Sequence, residues 1–194
     1  AKGERLFCIG DPGNHVYFLQ QGRVKIHQLS TMGREVILWF CLPGEIFGIA
    51  EAAQDSGREV SAEACEASRV LVLTQDQFKD FLASHPRAAL LSLQTMAARL
   101  RVLGHMLVNL VSDDAHTRIA KLLLRLSAGY GERVGTDVHL NIRLTHQEIA
   151  DMVGTTRQTV TSALADFRRR GVLRVDHRLI MIVNEERQAE MTGG

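Results

Sequence analysis

The spacing of apolar residues changes twice along this 194-residue chain, and the changes divide it into three parts. Up to about residue 75, short runs rich in β-branched and aromatic side chains alternate with turn signals. His15 to Leu19, Arg23 to Leu29, Glu35 to Cys41 and Ser68 to Leu73 read as strands. Gly10-Asp11-Pro12-Gly13-Asn14, Gln21-Gly22, Met32-Gly33, Pro43-Gly44 and Ser56-Gly57 punctuate them. Strands at this spacing predict a sandwich or barrel. A short helix is expected near Asp76 to Ala83, and a long one from Pro86. On the long helix Leu93, Met96, Leu100, Leu103, Leu107 and Leu110 step by three and four, the seam of a two-stranded coiled coil. The same stripe would also suit a helix packed on its own domain.

Asp113-Asp114 closes that helix and caps the next, from about Ala115 to Ser127, which turns Ile119, Leu122, Leu123 and Leu126 inward. Ala128 to Asp137 reads as a polar, glycine-rich loop. From Leu144 to Leu173 the period is again helical, in two short pieces around a tight turn. Thr145 and Glu148 form a capping box, Ile149, Met152 and Val153 make an apolar face, and Gly154 stops the helix. Thr155 or Thr156 caps the next. Val160, Ala163, Leu164 and Phe167 must pack inward, so Arg157, Gln158, Thr161 and Ser162 point elsewhere. Arg and Gln at a helix start can pair with guanine and adenine edges in a major groove. Small hydroxyl residues there can approach phosphate, helped by the positive helix end. Gly171 ends this helix after Arg168-Arg169-Arg170. Val172 to Val183 then reads as a hairpin wing that offers Arg174 and Arg178 to phosphate.

Composition adds little. The formal net charge is only +1, so arrangement rather than total charge carries the nucleic-acid argument. No apolar run approaches the ~20 residues of a membrane span, no signal peptide is evident, and a cytoplasmic protein without a membrane partner is the simplest reading. Three spaced cysteines, Cys8, Cys41 and Cys65, argue against a disulfide framework. The start at Ala1-Lys2-Gly3 already reads as the approach to a strand, which suggests a missing N-terminal piece. No GxSxG, HExxH, P-loop or CxxC pattern occurs, so neither an enzyme nor a metal site is expected.

KGERLFCIGDPGNHVYFLQQGRVKI, LPGEIFG, MAARL and HQEIADMVGTTRQTV follow one another in an order that resembles the cyclic AMP receptor protein/FNR superfamily of bacterial transcription regulators. The resemblance covers essentially the whole chain. It implies an α+β protein: a β-roll effector domain over residues 1–85, a dimerisation helix over 86–113 and a winged helix-turn-helix over 114–194. By resemblance Arg157, Gln158 and Ser162 read bases, His146, Gln147, Thr156 and Thr159 contact phosphate, and Asp114 is the hinge. The implied partners are a palindromic promoter site on double-stranded DNA, a second copy of the chain and RNA polymerase. The cyclic AMP receptor protein has Glu at the Gln158 position and Arg at the Ser162 position. The expected half-site is therefore related to TGTGA or TTGAT.

The resemblance also places an effector pocket at Gly48, Ile49, Ala50, Glu51, Arg58, Val60, Ser61, Leu103 and Gly104. Family members that bind cyclic nucleotides carry a Glu for the ribose and an Arg-Ser or Arg-Thr pair for the phosphate. Here Ile49 stands at the Glu position and Val60-Ser61 at the pair, while Leu103 and Gly104 replace the residues that hold adenine. Arg58 and Glu51 could serve only if the intervening loop differs in length. These departures argue against cyclic AMP and leave the effector unknown. Haem remains open through His15, His27, His105 and Cys41, although Gly48 and Ala50 stand where the CO-sensing branch has its ligands. A thiol switch remains open too, as does a regulatory module acting on protein partners without DNA.

Overall fold

The computed structural model describes residues 1–51, 56–135, 137–140, 142–176 and 179–183. The chain folds as two units, residues 1–104 and 105–194. The first begins with seven strands: β1 (Arg5–Phe7), β2 (His15–Gln21), β3 (Val24–Leu29), β4 (Glu35–Cys41), β5 (Ile46–Phe47), β6 (Ser61–Ala64) and β7 (Arg69–Thr74). They pair antiparallel into two sheets, β1-β6-β3-β4 and β5-β2-β7. Leu19, Val24, Ile26, Ile37, Phe47 and Ala62 are at most 1% exposed and make the roll's interior. Burying a large aliphatic or aromatic side chain of this kind is worth roughly 1.5–3 kcal/mol. Tyr17 stacks on Phe47, with ring centres 5.1 Å apart.

Strict alternation would leave His27 on the outer face. His27 does lie on the face of Lys25 and is buried there beside Glu35, while the register shift opposite Ile26 and His27 leaves Leu38 as the extra residue of β4. The four strands expected from the sequence are present. The short β1, β5 and β6, of two to four residues, were not foreseen, because a period of two cannot be read over so few positions.

α1 (Gln75–Ser84) follows with a Thr74–Gln77 capping box, and then α2 (Pro86–Ser112), which runs across the boundary between the units. None of the 27 residues of α2 is buried. Arg99 fastens it within the first unit, donating from Nη2 to Ile46 O at 2.5 Å with its guanidinium 5.2 Å from the Trp39 ring.

In the second unit, α3 (Ala115–Tyr130) is capped by Asp114, whose carboxylate accepts from Thr117 N at 2.7 Å. β8 (Gly131–Val134), β9 (Asp137–Leu140), α4 (His146–Val153), α5 (Arg157–Arg169), β10 (Leu173–Asp176) and β11 (Leu179–Ile182) complete it, with sheet order β10-β11-β9-β8. The loop expected from Ala128 to Asp137 is corrected. α3 continues to Tyr130, and a hairpin follows, tied to the wing by β9–β11 pairing. Val138 and Leu140 supply its buried face, a two-residue period that the neighbouring glycines obscured. No helix among the described residues is long and apolar enough to cross a membrane.

Candidate nucleic-acid interface and effector cavity

α4 and α5 form the helix-turn-helix that the pattern predicts. Thr145 Oγ1 accepts from Glu148 N at 3.1 Å, while the Glu148 carboxylate accepts from Thr145 N at 2.7 Å. Gly154 takes the left-handed conformation (φ 68°), which ends α4. Thr156, rather than Thr155, caps α5. Val160, Ala163, Leu164 and Phe167 are buried, so Arg157, Gln158, Thr161 and Ser162 share the exposed side of the first turns. The positive end of the helix dipole lies at the same turns.

The expected phosphate-facing residues are less free than their sequence positions suggest. Thr161 Oγ1 donates to Arg157 O at 2.9 Å and meets His146 Nδ1 at 2.8 Å. One hydroxyl proton cannot serve both, so Nδ1 carries the proton and His146 donates to Thr161. The pair fastens α4 to α5. Gln147 donates to Asp151, and Thr156 and Thr159 share a hydroxyl bond at 2.9 Å. Arg174 is exposed on β10, 4.0 Å from the Asp137 carboxylate. Arg178 lies outside the described residues.

Sequence reasoning missed Arg118. Its Nε donates to Val153 O at 2.9 Å, Nη1 to Asp113 O at 2.8 Å and Nη2 to Gly154 O at 3.5 Å. A single cation thus satisfies carbonyls just past α2 and at the end of α4. Lys121 adds a 2.8 Å ion pair with Asp113. The expected hinge residue Asp114 therefore adjoins a junction held by several bonds, and its exposed carboxyl is held below the usual range by the Thr117 amide. An arginine four residues after a helix cap carries no periodic signal, so nothing in the pattern marked it.

The first unit contains a cavity of 310 Å³. Of the expected effector positions, Gly48, Ile49, Ala50, Glu51, Val60 and Leu103 line it, joined by Trp39, Met96, Arg99 and Leu100. Arg58, Ser61 and Gly104 are not among the lining residues. Ser61 Oγ accepts from Ile9 N at 3.0 Å. Arg58 is 2% exposed, and its two terminal nitrogens are bonded within the protein while Nε is buried without a hydrogen-bond partner among the described residues. Nη1 donates to Glu51 Oε2 at 2.5 Å and Gly48 O at 3.0 Å, and Nη2 donates to His15 O. Its guanidinium lies 4.2 Å from the Phe7 ring centre. Gly48 makes room for this arrangement: at φ 70° a Cβ would come within 2.9 Å of Arg58 Nη1.

The residues considered for haem or thiol chemistry are scattered in role. Burial pushes the Cys41 thiol up to about 12, so it stays protonated at neutral pH. Cys8 and Cys65 carry no disulfide. His27 is buried beside Glu35, while His105 is exposed on α2. Among the described residues no three His, Cys, Asp or Glu side chains gather as metal ligands would.

Residues 1–85 match the cyclic nucleotide-binding domain family, and residues 117–190 match the Crp-like helix-turn-helix domain family. A CRP-like cAMP-activated global transcriptional regulator of Mycobacterium tuberculosis is 33% identical over 188 residues, 97% of this chain and 84% of that protein. The chain belongs to the CRP/FNR superfamily. A global nitrogen regulator of Synechocystis is 29% identical over 185 residues, 94% of this chain and 82% of that one. Among solved structures, a CooA variant from Carboxydothermus hydrogenoformans matches all of this chain and 85% of its own, at 25% identity and a TM-score of 0.86. FixK2 from Bradyrhizobium japonicum shares the fold over all of this chain and 94% of its own, at 24% identity and a TM-score of 0.84. CRP/FNR proteins are transcription regulators rather than enzymes, and this one carries their helix-turn-helix DNA-binding domain.

Proposed function

We infer that this CRP/FNR protein is a homodimeric, sequence-specific transcription regulator gated through its β-roll by an effector other than cyclic AMP. The observation that carries the DNA reading is the exposed side of α5. Arg157, Gln158 and Ser162 stand free of the buried face, ready for base edges, with Thr156, Thr159 and His146 beside them for phosphate. Arg174 extends this surface from the wing. The homodimer reading rests on α2. Leu93, Leu100, Leu107 and Leu110 are 56–73% exposed along the coiled-coil seam, a stripe that a second copy would cover. Two copies would read a palindrome whose half-sites lie about 34–36 Å apart, and RNA polymerase is the partner at the promoter. Residues 86–113 serve as the dimerisation helix, and Asp114 marks the passage to the reader. An effector acts by preferring the arrangement that fits DNA. Arg58, already neutralised by Glu51, argues against a cyclic phosphate in that role.

The test is DNA binding by an Arg157→Ala variant, measured on a site selected by the protein from random sequence. The expected loss is about 1–3 kcal/mol on the selected site, with little change on random DNA. Equal binding by variant and parent would remove Arg157 from the interface and take this docking of α5 with it.

A further inference from the structure

A member of this superfamily that bound a cyclic phosphate would keep a guanidinium open to its cavity. Here the buried guanidinium exists but does not line the cavity. Arg58 holds Glu51 at 2.5 Å in a pair whose side chains are 1% and 6% exposed. Gly48 O, His15 O and the Phe7 ring surround the rest of it. An arriving phosphate would have to displace a carboxylate from a buried partner, trading one anion for another.

The cavity itself presents a different cation and apolar walls. Ile49, Val60, Leu100 and Leu103 offer hydrocarbon, and Arg99 reaches in from α2. One Arg99 nitrogen, Nη2, donates to Ile46 O and lies 3.8 Å from Cys41 Sγ. Guanidinium has five donor hydrogens, and Nε and Nη1 of Arg99 make no hydrogen bond among the described residues. Glu59, exposed where it lines the cavity, opposes a second negative charge on any ligand. A volume of 310 Å³ lies at the lower end of the about 300–1,000 Å³ typical of ligand cavities.

We propose that this cavity takes an organic monocarboxylate with an apolar body, its carboxylate on Arg99, and does not take a cyclic nucleotide. The proposal rests on the reading of the cavity as the effector site. A charge-assisted N–H···O contact in a partly enclosed site is worth about tenfold or more in affinity over its neutral counterpart.

The experiment titrates the full chain with 2-naphthoate, its neutral amide 2-naphthamide, and cyclic AMP, following fluorescence or heat. DNA affinity is measured in parallel with each compound present. The naphthoate is expected to bind about tenfold more tightly than the amide, and cyclic AMP to show no saturable binding. Arg99→Gln should bring the naphthoate down to the level of the amide and leave the amide unchanged. The comparison of acid with amide on the unmodified chain stands even if that variant does not fold. Equal affinities for acid and amide, no saturable naphthoate binding, or cyclic AMP binding more tightly than the naphthoate would each overturn the proposal. If the naphthoate binds as expected while DNA affinity stays constant, the ligand assignment holds and effector gating falls. If DNA affinity responds to cyclic AMP alone, gating holds and the assignment falls.

Discussion

Arg58 and Arg157 show how differently one side chain can be used in the two units. Arg58 is enclosed, answered by a carboxylate, two carbonyls and an aromatic ring. Arg157 stands at the first turn of α5 with its guanidinium exposed. The first is enclosed and occupied by partners within its own unit. The second is exposed at the start of its helix. A family resemblance assigns both to ligand contact. Only their surroundings separate them, and surroundings come from residues distant in sequence: Glu51 is seven positions from Arg58, but His15 is 43.

The largest test of this contrast removes the partner of the enclosed arginine. Glu51→Ala leaves Arg58 charged and buried, and breaking such a pair costs about 3–5 kcal/mol. Urea unfolding should show that loss, with the fold of the helix-turn-helix preserved. A change below about 1 kcal/mol would mean that solvent already reaches Arg58 and that the contrast is false. The matching test on the open side is Gly154→Ala. Its left-handed backbone penalises a Cβ by about 1–2 kcal/mol, and 3.7 Å to Leu110 is ordinary contact, so strain and not crowding should set the cost. DNA affinity should fall with it, while ligand binding in the cavity stays unchanged.

The smallest effect concerns His27. Burial pushes its pKa down, and Lys25 and Arg5 act in the same direction, whereas Glu35 and Glu63 pull it up without prevailing. The unfolded chain therefore binds a proton more readily than the folded one. Stability falls as pH drops through the ordinary histidine value near about 6.5 and levels off below the folded value. Melting of the β-roll between pH 7.5 and 5 should show this slope, and His27→Gln should flatten it. An unchanged slope in the variant would place the titration elsewhere.

Much of the architecture was legible because it repeats. Four strands, the long helix α2 and both helices of the helix-turn-helix announce themselves by period, caps and glycines, and the structure contains each. The β8–β9 hairpin was missed because two inward residues, Val138 and Leu140, make too short a pattern beside Gly129, Gly131 and Gly135. The reader's outward residues could be named from the inward ones, since a helix fixes both at once. The cavity could not be read that way. Glu51 neutralising Arg58, and Arg99 arriving from another element, depend on long-range packing that no local spacing encodes.

The bare flank of α2 has a further consequence. A 27-residue helix with no fully buried residue gains little order from burial within its own chain, and unaided helices are only marginally stable in water. With the pairing inferred above, that order becomes a bimolecular property. It then depends on how many chains the cell holds, and halving their number cuts encounters about fourfold. Under that pairing abundance would become an input to the regulator, and expression level would set a threshold below which DNA goes unread.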